Sequence, residues 1–300
     1  MKKRETMPQT PTPASTVVLA RQGHDGLEVC LLKRSGGSSF FPGNYVFPGG
    51  AVDREDLNAA FWQDHVDLGL DETSKRLGGR LSLEYTFGHG VSAIRETFEE
   101  AGILLAQKIE DKPEEVEKMC RFRRNGSLPK SWLKEWVMSG MWVLSFSRLV
   151  RWAHWITPEA MKRRFDTRFY VALMPSGQEC VPDMKETIHG IWISPEGALS
   201  GNLQKKIPLA PPTIVTLHEL LPYSTIGDLE AEAKTKPWGE ARLPKLIKLD
   251  KGAVILEPWD PMIHEHTPVH EKELDDKVLP VGEPFSRLWL NHGVWQPVGH

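Results

Sequence analysis

The chain has 300 residues, 40% of them hydrophobic and 26% charged, with a formal net charge of −3. That length suffices for one large domain, or a domain with sizeable additions, and either can bury a real core. The charge balance offers no basic field for nucleic acid, and no apolar run reaches the length a bilayer requires, so neither nucleic acid nor membrane is an expected partner.

Residues 1–13, with Pro8, Pro11 and Pro13, read as a disordered arm. Lys2-Lys3-Arg4 is a charged start without the apolar segment that a secretion signal would need. Cys30, Cys120 and Cys180 are odd in number and widely spaced. They indicate neither a disulfide framework nor a metal site and suit a reducing cytoplasm.

Residues 14–20 and 27–33 are short β-rich runs separated by a turn composition, which predicts a hairpin. The second run leads through Arg34-Ser35 and a Gly/Ser loop to Phe47-Pro48-Gly49-Gly50. Residues 57–88 are expected to form a helix followed by a loop. Within 106–147, Pro113–Arg124 and residues 129–138 have helical periodicity, with Trp132, Trp136 and Trp142 as apolar mass. Strands are predicted near 152–156 and 168–174, with Thr157-Pro158-Glu159 as a turn or helix start. A further strand ends at Trp192-Ile193 and opens a helix from Ser194, and 213–221 is helical after Pro211-Pro212. From Lys236 onward, short possible strands at 246–249, 254–256 and 288–290 describe either a small β-rich addition or an extended wrap.

The most informative stretch is Arg95-Glu96-Thr97-Phe98-Glu99-Glu100-Ala101-Gly102-Ile103. Glu96 lies one helical turn from Glu99 and Glu100, so three carboxylates share a face, while Val91, Ile94, Phe98 and Ala101 form an opposite core stripe. Gly102 reads as the cap that ends the helix, which sets Glu99 and Glu100 against the negative end of the helix dipole. A sequence shaped for stability alone would place Lys or Arg there. The pattern becomes sensible if the oxygens hold a hard divalent cation, Mg²⁺ or Mn²⁺.

This segment resembles the second half of the Nudix box, matched at every specified position except Thr97, which replaces an apolar residue. Phe47-Pro48-Gly49-Gly50 with Asp53 and Asp56 resembles the opening half, separated from the helix by the insertion at 57–88. The resemblance implies a Nudix α/β/α sandwich around a mixed sheet, with helical insertions near 57–88 and 106–147, a hydrolase domain over 14–230 and a C-terminal extension over 236–300. It implies Glu96, Glu99 and Glu100 as metal ligands and Glu99 and Glu100 as catalytic groups. The resemblance also implies that Arg95 orients a box carboxylate, although adjacent helical side chains diverge by about 100°, so Arg95 and Glu96 are not expected to make a good local pair. Glu186, shortly before Trp192, matches the loop acid that the family uses as ligand or base.

Leu31-Leu32-Lys33-Arg34-Ser35 with Phe47-Pro48-Gly49-Gly50 resembles in part the coenzyme A diphosphatases. The long insertion, Trp155-Ile156-Thr157-Pro158, Arg164-Phe165-Asp166-Thr167-Arg168-Phe169 and Ala210-Pro211-Pro212-Thr213 are similar to the peroxisomal branch and its bacterial relatives. The terminal Pro297-Val298-Gly299-His300 is no peroxisomal address, and a cytoplasmic location is expected. The implied substrate is a nucleoside diphosphate derivative of the coenzyme A class, with Arg34, Gly49, Gly50, Arg164 and Arg168 as binding residues. ADP-ribose or NADH is the alternative substrate, and a non-catalytic nucleotide sensor is the alternative from another class. His264, His266 and His270 compete as a zinc site, but Pro268 breaks a strand there and no Cys is near, so a loop is expected.

Overall fold

The structure is a computed structural model that describes residues 9–108, 113–126, 128–265 and 274–299. A seven-stranded mixed sheet forms the centre. Its strands are β1 (Thr12–Gln22), β2 (Leu27–Arg34), β3 (Tyr45–Val46), β4 (Gly49–Ala51), β7 (Val150–Ile156), β8 (Phe165–Leu173) and β9 (Thr187–Ile193). β5 (Ala106–Lys108) and β6 (Trp142–Leu144) form a separate two-stranded ribbon. β1 runs parallel to β8, with Thr12 opposite Phe165 and Ala20 opposite Leu173, and the other pairings in the central sheet are antiparallel.

The predicted hairpin is present, with Ala20 opposite Val29. Because both faces of the sheet are covered, β1 carries the continuous apolar run Val17-Val18-Leu19-Ala20 rather than an alternation with polar residues. Val17 and Leu19 enter one core with Phe87, Val91, Ile94 and Phe98. Val18 and Ala20 enter the other with Trp152, Phe169, Ile214 and Leu217. The result is the expected three-layer sandwich.

The first of these cores is closed by a 19-residue helix, Leu83–Ala101, whose Ser82 side chain caps the amino end and whose Gly102 adopts φ 73° at the other. Its stripe is as the periodicity predicts: Val91, Ile94, Phe98 and Ala101 are all buried. Thr97 is fully buried too, and its hydroxyl donates to the Ala93 carbonyl at 2.7 Å, which lets a polar residue occupy an apolar position.

Several expectations change. Of the expected arm, residues 1–8 lie outside the described residues, and its end at residue 13 is corrected, because Thr12 and Pro13 already pair with Phe165 and Asp166. The insertion at 57–88 is not a helix and a loop. It holds short helical turns at Ala59–Trp62 and Leu70–Thr73, a widened π turn at Ser74–Gly78, and then the first turns of the long helix itself. A helix at Ile226–Thr235, started by the Thr225 side chain, also went unanticipated.

The tail resolves in favour of a β addition. Its strands, Lys245–Leu249, Gly252–Leu256, Arg287–Asn291 and Val294–Val298, form an antiparallel meander. Ala253, Ile255, Leu288 and Trp295 join the core that holds Phe47, Trp155 and Phe169, so the tail packs into the main body. His264 is exposed on this segment, and His266 and His270 lie outside the described residues. Cys30 and Cys180, distant in sequence, bring their free thiols to 2.7 Å. Among the described residues no helix is long and apolar enough to cross a membrane.

Candidate active site

The acidic helix faces Gly49 and Gly50 at close range. A Cβ at Gly49 would lie 2.2 Å from the Ser15 carbonyl oxygen, and one at Gly50 would lie 2.4 Å from the Glu96 carboxyl carbon. At Gly49 the clash is with backbone and only glycine fits, whereas a side chain at Gly50 would displace the Glu96 carboxylate. The approach lets the Gly49 N–H donate to Glu100 Oε2 at 3.0 Å.

Arg95 organises the cluster. It is buried, and its guanidinium donates to Asp56 Oδ2 at 2.9 Å, to the Ala51 carbonyl at 2.8 Å, to Glu96 Oε1 at 2.7 Å and to Glu99 Oε2 at 3.1 Å. The expectation that Arg95 and Glu96 make a poor pair is therefore corrected. The Cβ vectors diverge, but the long side chain curls back to its neighbour. Asp56, 2% exposed, is the buried anchor that holds the guanidinium in place. Arg95 stays firmly protonated: burial opposes its charge, and Glu96, Asp56 and Glu99 outweigh that cost.

Two residues from the 106–147 insertion reach the cluster, and sequence reasoning missed both. Trp132, on the helix Trp132–Met138, donates from Nε1 to Glu99 Oε1 at 2.6 Å. Arg123 donates to the backbone carbonyls of Glu99 at 2.9 Å and Glu100 at 2.7 Å. The cation missing from the helix's own last turn thus comes from Pro113–Arg124, where it neutralises the dipole without pairing with the carboxylates.

Burial pushes the Glu96 carboxyl up to about 7, against the pull of Arg95 and with repulsion from Glu99 and Glu186 added. Burial, with repulsion from Glu96, likewise pushes Glu100 up to about 8 despite Arg34 and the Gly49 N–H. Glu186 is exposed at the rim, where its charge reaches both. Hard oxygen donors that repel one another, with Arg95 already shared among three carboxylates, fit a divalent cation in charge and donor type. Glu99 stands turned toward Trp132 and Arg95, and among the described residues no three acidic, histidine or cysteine side chains form a ready ligand set.

A cavity of about 150 Å³ is lined in part by Gly49 and Gly50. Its walls include Phe40, Phe47, Trp155, Phe165, Phe169 and Pro211, and Arg34 stands where it meets the acidic cluster. Arg34 Nε is buried without a protein partner, as a guanidinium awaiting an anionic ligand would be.

The other two arginines expected at the substrate do not line this cavity. Arg164 spends its guanidinium on the carbonyls of Thr157 at 3.0 Å and Gln9 at 2.8 Å, tying the start of β1 to β8. Arg168 lies over the Trp238 ring at 5.2 Å, and its Nε is buried without a protein partner. Strand alternation explains the difference: Phe165, Thr167 and Phe169 face the cavity, so Arg168 faces the helix layer.

Residues 9–220 match the family described as the NUDT19 Nudix domain. The acyl-coenzyme A diphosphatase NUDT19 of Xenopus laevis is 28% identical, over 89% of this chain and 81% of that protein. Its Homo sapiens counterpart is 26% identical over 95% and 85%. A Nudix hydrolase from Alicyclobacillus acidocaldarius has the same fold, with a TM-score of 0.59 and 24% identity over 77% of this chain and 99% of that one. With Glu96 and Glu99 held by Arg95 and more than half its length matched, the chain belongs to the Nudix superfamily, in the NUDT19 Nudix domain family.

Proposed function

We propose that this protein hydrolyses the diphosphate of coenzyme A or acyl-coenzyme A, giving 3′,5′-ADP and the free or acylated 4′-phosphopantetheine. The observation that carries the reading is the junction at Gly49–Gly50, which places a carboxylate cluster against an aromatic cavity with Arg34 between them. The names of the relatives, acyl-coenzyme A diphosphatases, point to the same substrate class.

In this reading Glu96, Glu99 and Glu100 hold Mg²⁺ or Mn²⁺, and Glu186 is the candidate fourth acid at the rim. When bound, the cation would neutralise the diphosphate and lower the pKa of the attacking water. Arg95 fixes Glu96 and Glu99 in orientation through Asp56. Arg34 takes a diphosphate oxygen through its free N–H, and Gly49 and Gly50 let the substrate backbone approach without a side chain in the way. Water attacks one phosphorus in line, the bridging oxygen leaves with the other phosphate, a proton is released, and each product keeps one phosphate of the cleaved diphosphate as a monoester.

A panel of coenzyme A, acyl-coenzyme A, dephospho-coenzyme A, NADH and ADP-ribose with Mg²⁺ or Mn²⁺, products identified by mass, tests the reading. Release of 3′,5′-ADP with coenzyme A or its acyl forms as the fastest substrates is expected. Faster cleavage of NADH or ADP-ribose would overturn it.

A further inference from the structure

The cavity is completed by residues from outside the family-matched segment. Glu257 follows the meander strand Gly252–Leu256 and lines the cavity with Ile255. Its backbone is fixed at both ends, the N–H donating to the Ser286 carbonyl at 2.8 Å and the carbonyl accepting from the Asp260 N–H at 2.9 Å. The residue is 1% exposed, and its Oε2 has no hydrogen-bond partner. Trp155 Nε1, in the same wall, is also buried and unpartnered. A buried polar atom without a partner is costly, so two such atoms on residues that line one cavity mark places where a ligand completes the hydrogen bonding.

We propose that this cavity is a base-binding site, and that Glu257 recognises the adenine ring of the substrate through a paired donor and acceptor. The proposal rests on the reading of the protein as a diphosphatase of adenine-bearing substrates. A neutral carboxyl presents one O–H donor beside one carbonyl acceptor, which matches a ring nitrogen and the adjacent exocyclic amine of adenine much as a glutamine amide does. Burial keeps Glu257 in that neutral form by raising it to about 8. Of the charged groups that act on it, Arg242 opposes the rise and Glu219 adds to it. Arg242 gives one guanidinium nitrogen to Glu219 at 2.6 Å and stacks on Trp155 at 5.1 Å, while its other terminal nitrogen is buried without a protein partner.

The remaining walls suit the same occupant. Trp155, Phe165 and Phe169 offer ring faces and edges on which a flat base can pack. An acyl chain would fill the space and leave the Glu257 and Trp155 polar atoms stranded.

The test uses the full chain and two fragments of the proposed substrate, 5′-ADP and 4′-phosphopantetheine, with Kd read by calorimetry for the unmodified protein, Glu257→Gln and Glu257→Met. Gln keeps a donor and an acceptor, whereas Met keeps only the volume. Binding of 5′-ADP should hold within about threefold in Glu257→Gln and weaken about 10- to 100-fold in Glu257→Met, with 4′-phosphopantetheine unaffected by either. The melting temperatures of both variants confirm that they fold. Unchanged 5′-ADP binding in Glu257→Met, loss confined to 4′-phosphopantetheine, or no 5′-ADP binding by the unmodified protein would overturn the assignment. Coenzyme A hydrolysis, measured separately, keeps the two readings apart. Cleavage without Glu257-dependent 5′-ADP binding removes the base site alone, and Glu257-dependent binding without cleavage removes the proposed activity alone.

Discussion

The indole N–H of Trp132 donates to Glu99 Oε1 at 2.6 Å, so a helix from an insertion fixes the orientation of a box carboxylate. Arg95 holds the other oxygen of the same carboxylate at 3.1 Å. Glu99 is thereby pinned from two directions by groups on separate segments of the fold.

Trp132→Phe keeps the packing against Phe98 and Trp136 and removes only the donor. A hydrogen bond to a charged group is worth about 1.5–3 kcal/mol, so kcat/KM should fall about 10- to 100-fold. The expected signature is a higher Mg²⁺ or Mn²⁺ requirement with little change in melting temperature. Unaltered metal dependence and unaltered turnover would show that the indole contributes packing alone.

Glu99→Gln and Glu100→Gln address the cluster itself. Each should lower kcat by at least about 10²-fold. Glu100→Gln should leave the metal-free protein as stable or more stable, since burial and the repulsion of Glu96 and Glu186 oppose that carboxylate, whereas Glu99→Gln also weakens charge-assisted bonds to Arg95 and Trp132 and should be no more stable. Near-normal turnover in both variants would remove these residues from the catalytic machinery.

How much of this site could be read from the sequence depends on the range of each contact. The shared face of Glu96, Glu99 and Glu100, the buried stripe beneath it and the Gly102 cap are helix-local, and 3.6-residue periodicity displays them. The Arg95–Glu96 contact was misjudged because Cβ directions describe short side chains and a guanidinium reaches further. Trp132 and Arg123 arrive from 33 and 24 residues away, and nothing in their local sequence marks a tryptophan as a donor or an arginine as a helix cap. Glu257 left one faint trace, a carboxylate placed directly after the apolar Ala253-Val254-Ile255-Leu256. The resemblance implies Arg164 and Arg168 at the substrate, but strand alternation turns Arg168 away and backbone carbonyls take up Arg164.

Arg164→Ala consequently tests structure rather than substrate choice. Removing a buried guanidinium that satisfies the Thr157 and Gln9 carbonyls should cost about 2–3 kcal/mol of stability. The ratio of kcat/KM for coenzyme A over dephospho-coenzyme A should stay within about twofold of the unmodified value. A collapse of that ratio with unchanged stability would return Arg164 to the 3′-phosphate.

Asp56→Ala should be among the more damaging single changes in the site. It removes the buried carboxylate that Arg95 grips, while Glu96, Glu99 and the Ala51 carbonyl remain, so the loss is that of hydrogen bonds to a charged group, about 1.5–3 kcal/mol. Asp56→Asn retains an acceptor and should recover part of the stability but less of the activity, because Arg95 would lose the charge that anchors it. Equal activity of Asp56→Asn and the unmodified protein would show that geometry alone holds Arg95.

Glu257 provides a pH test that is independent of the metal site. Its carboxyl rises from 4.5 in the unfolded chain to about 8 when folded, because burial and Glu219 outweigh Arg242. Between those values the folded protein binds a proton that the unfolded chain has released, so this group's contribution to stability is full below about pH 4.5 and is lost as pH rises through 8. Glu257→Gln does not titrate. Denaturant melts of the two proteins without added metal should therefore nearly coincide at pH 5. At pH 9 the unmodified protein should fall behind Glu257→Gln by of order 2 kcal/mol or more. Parallel pH profiles for the two proteins would mean that the carboxyl is ionised throughout, and a neutral donor at position 257 would then be untenable.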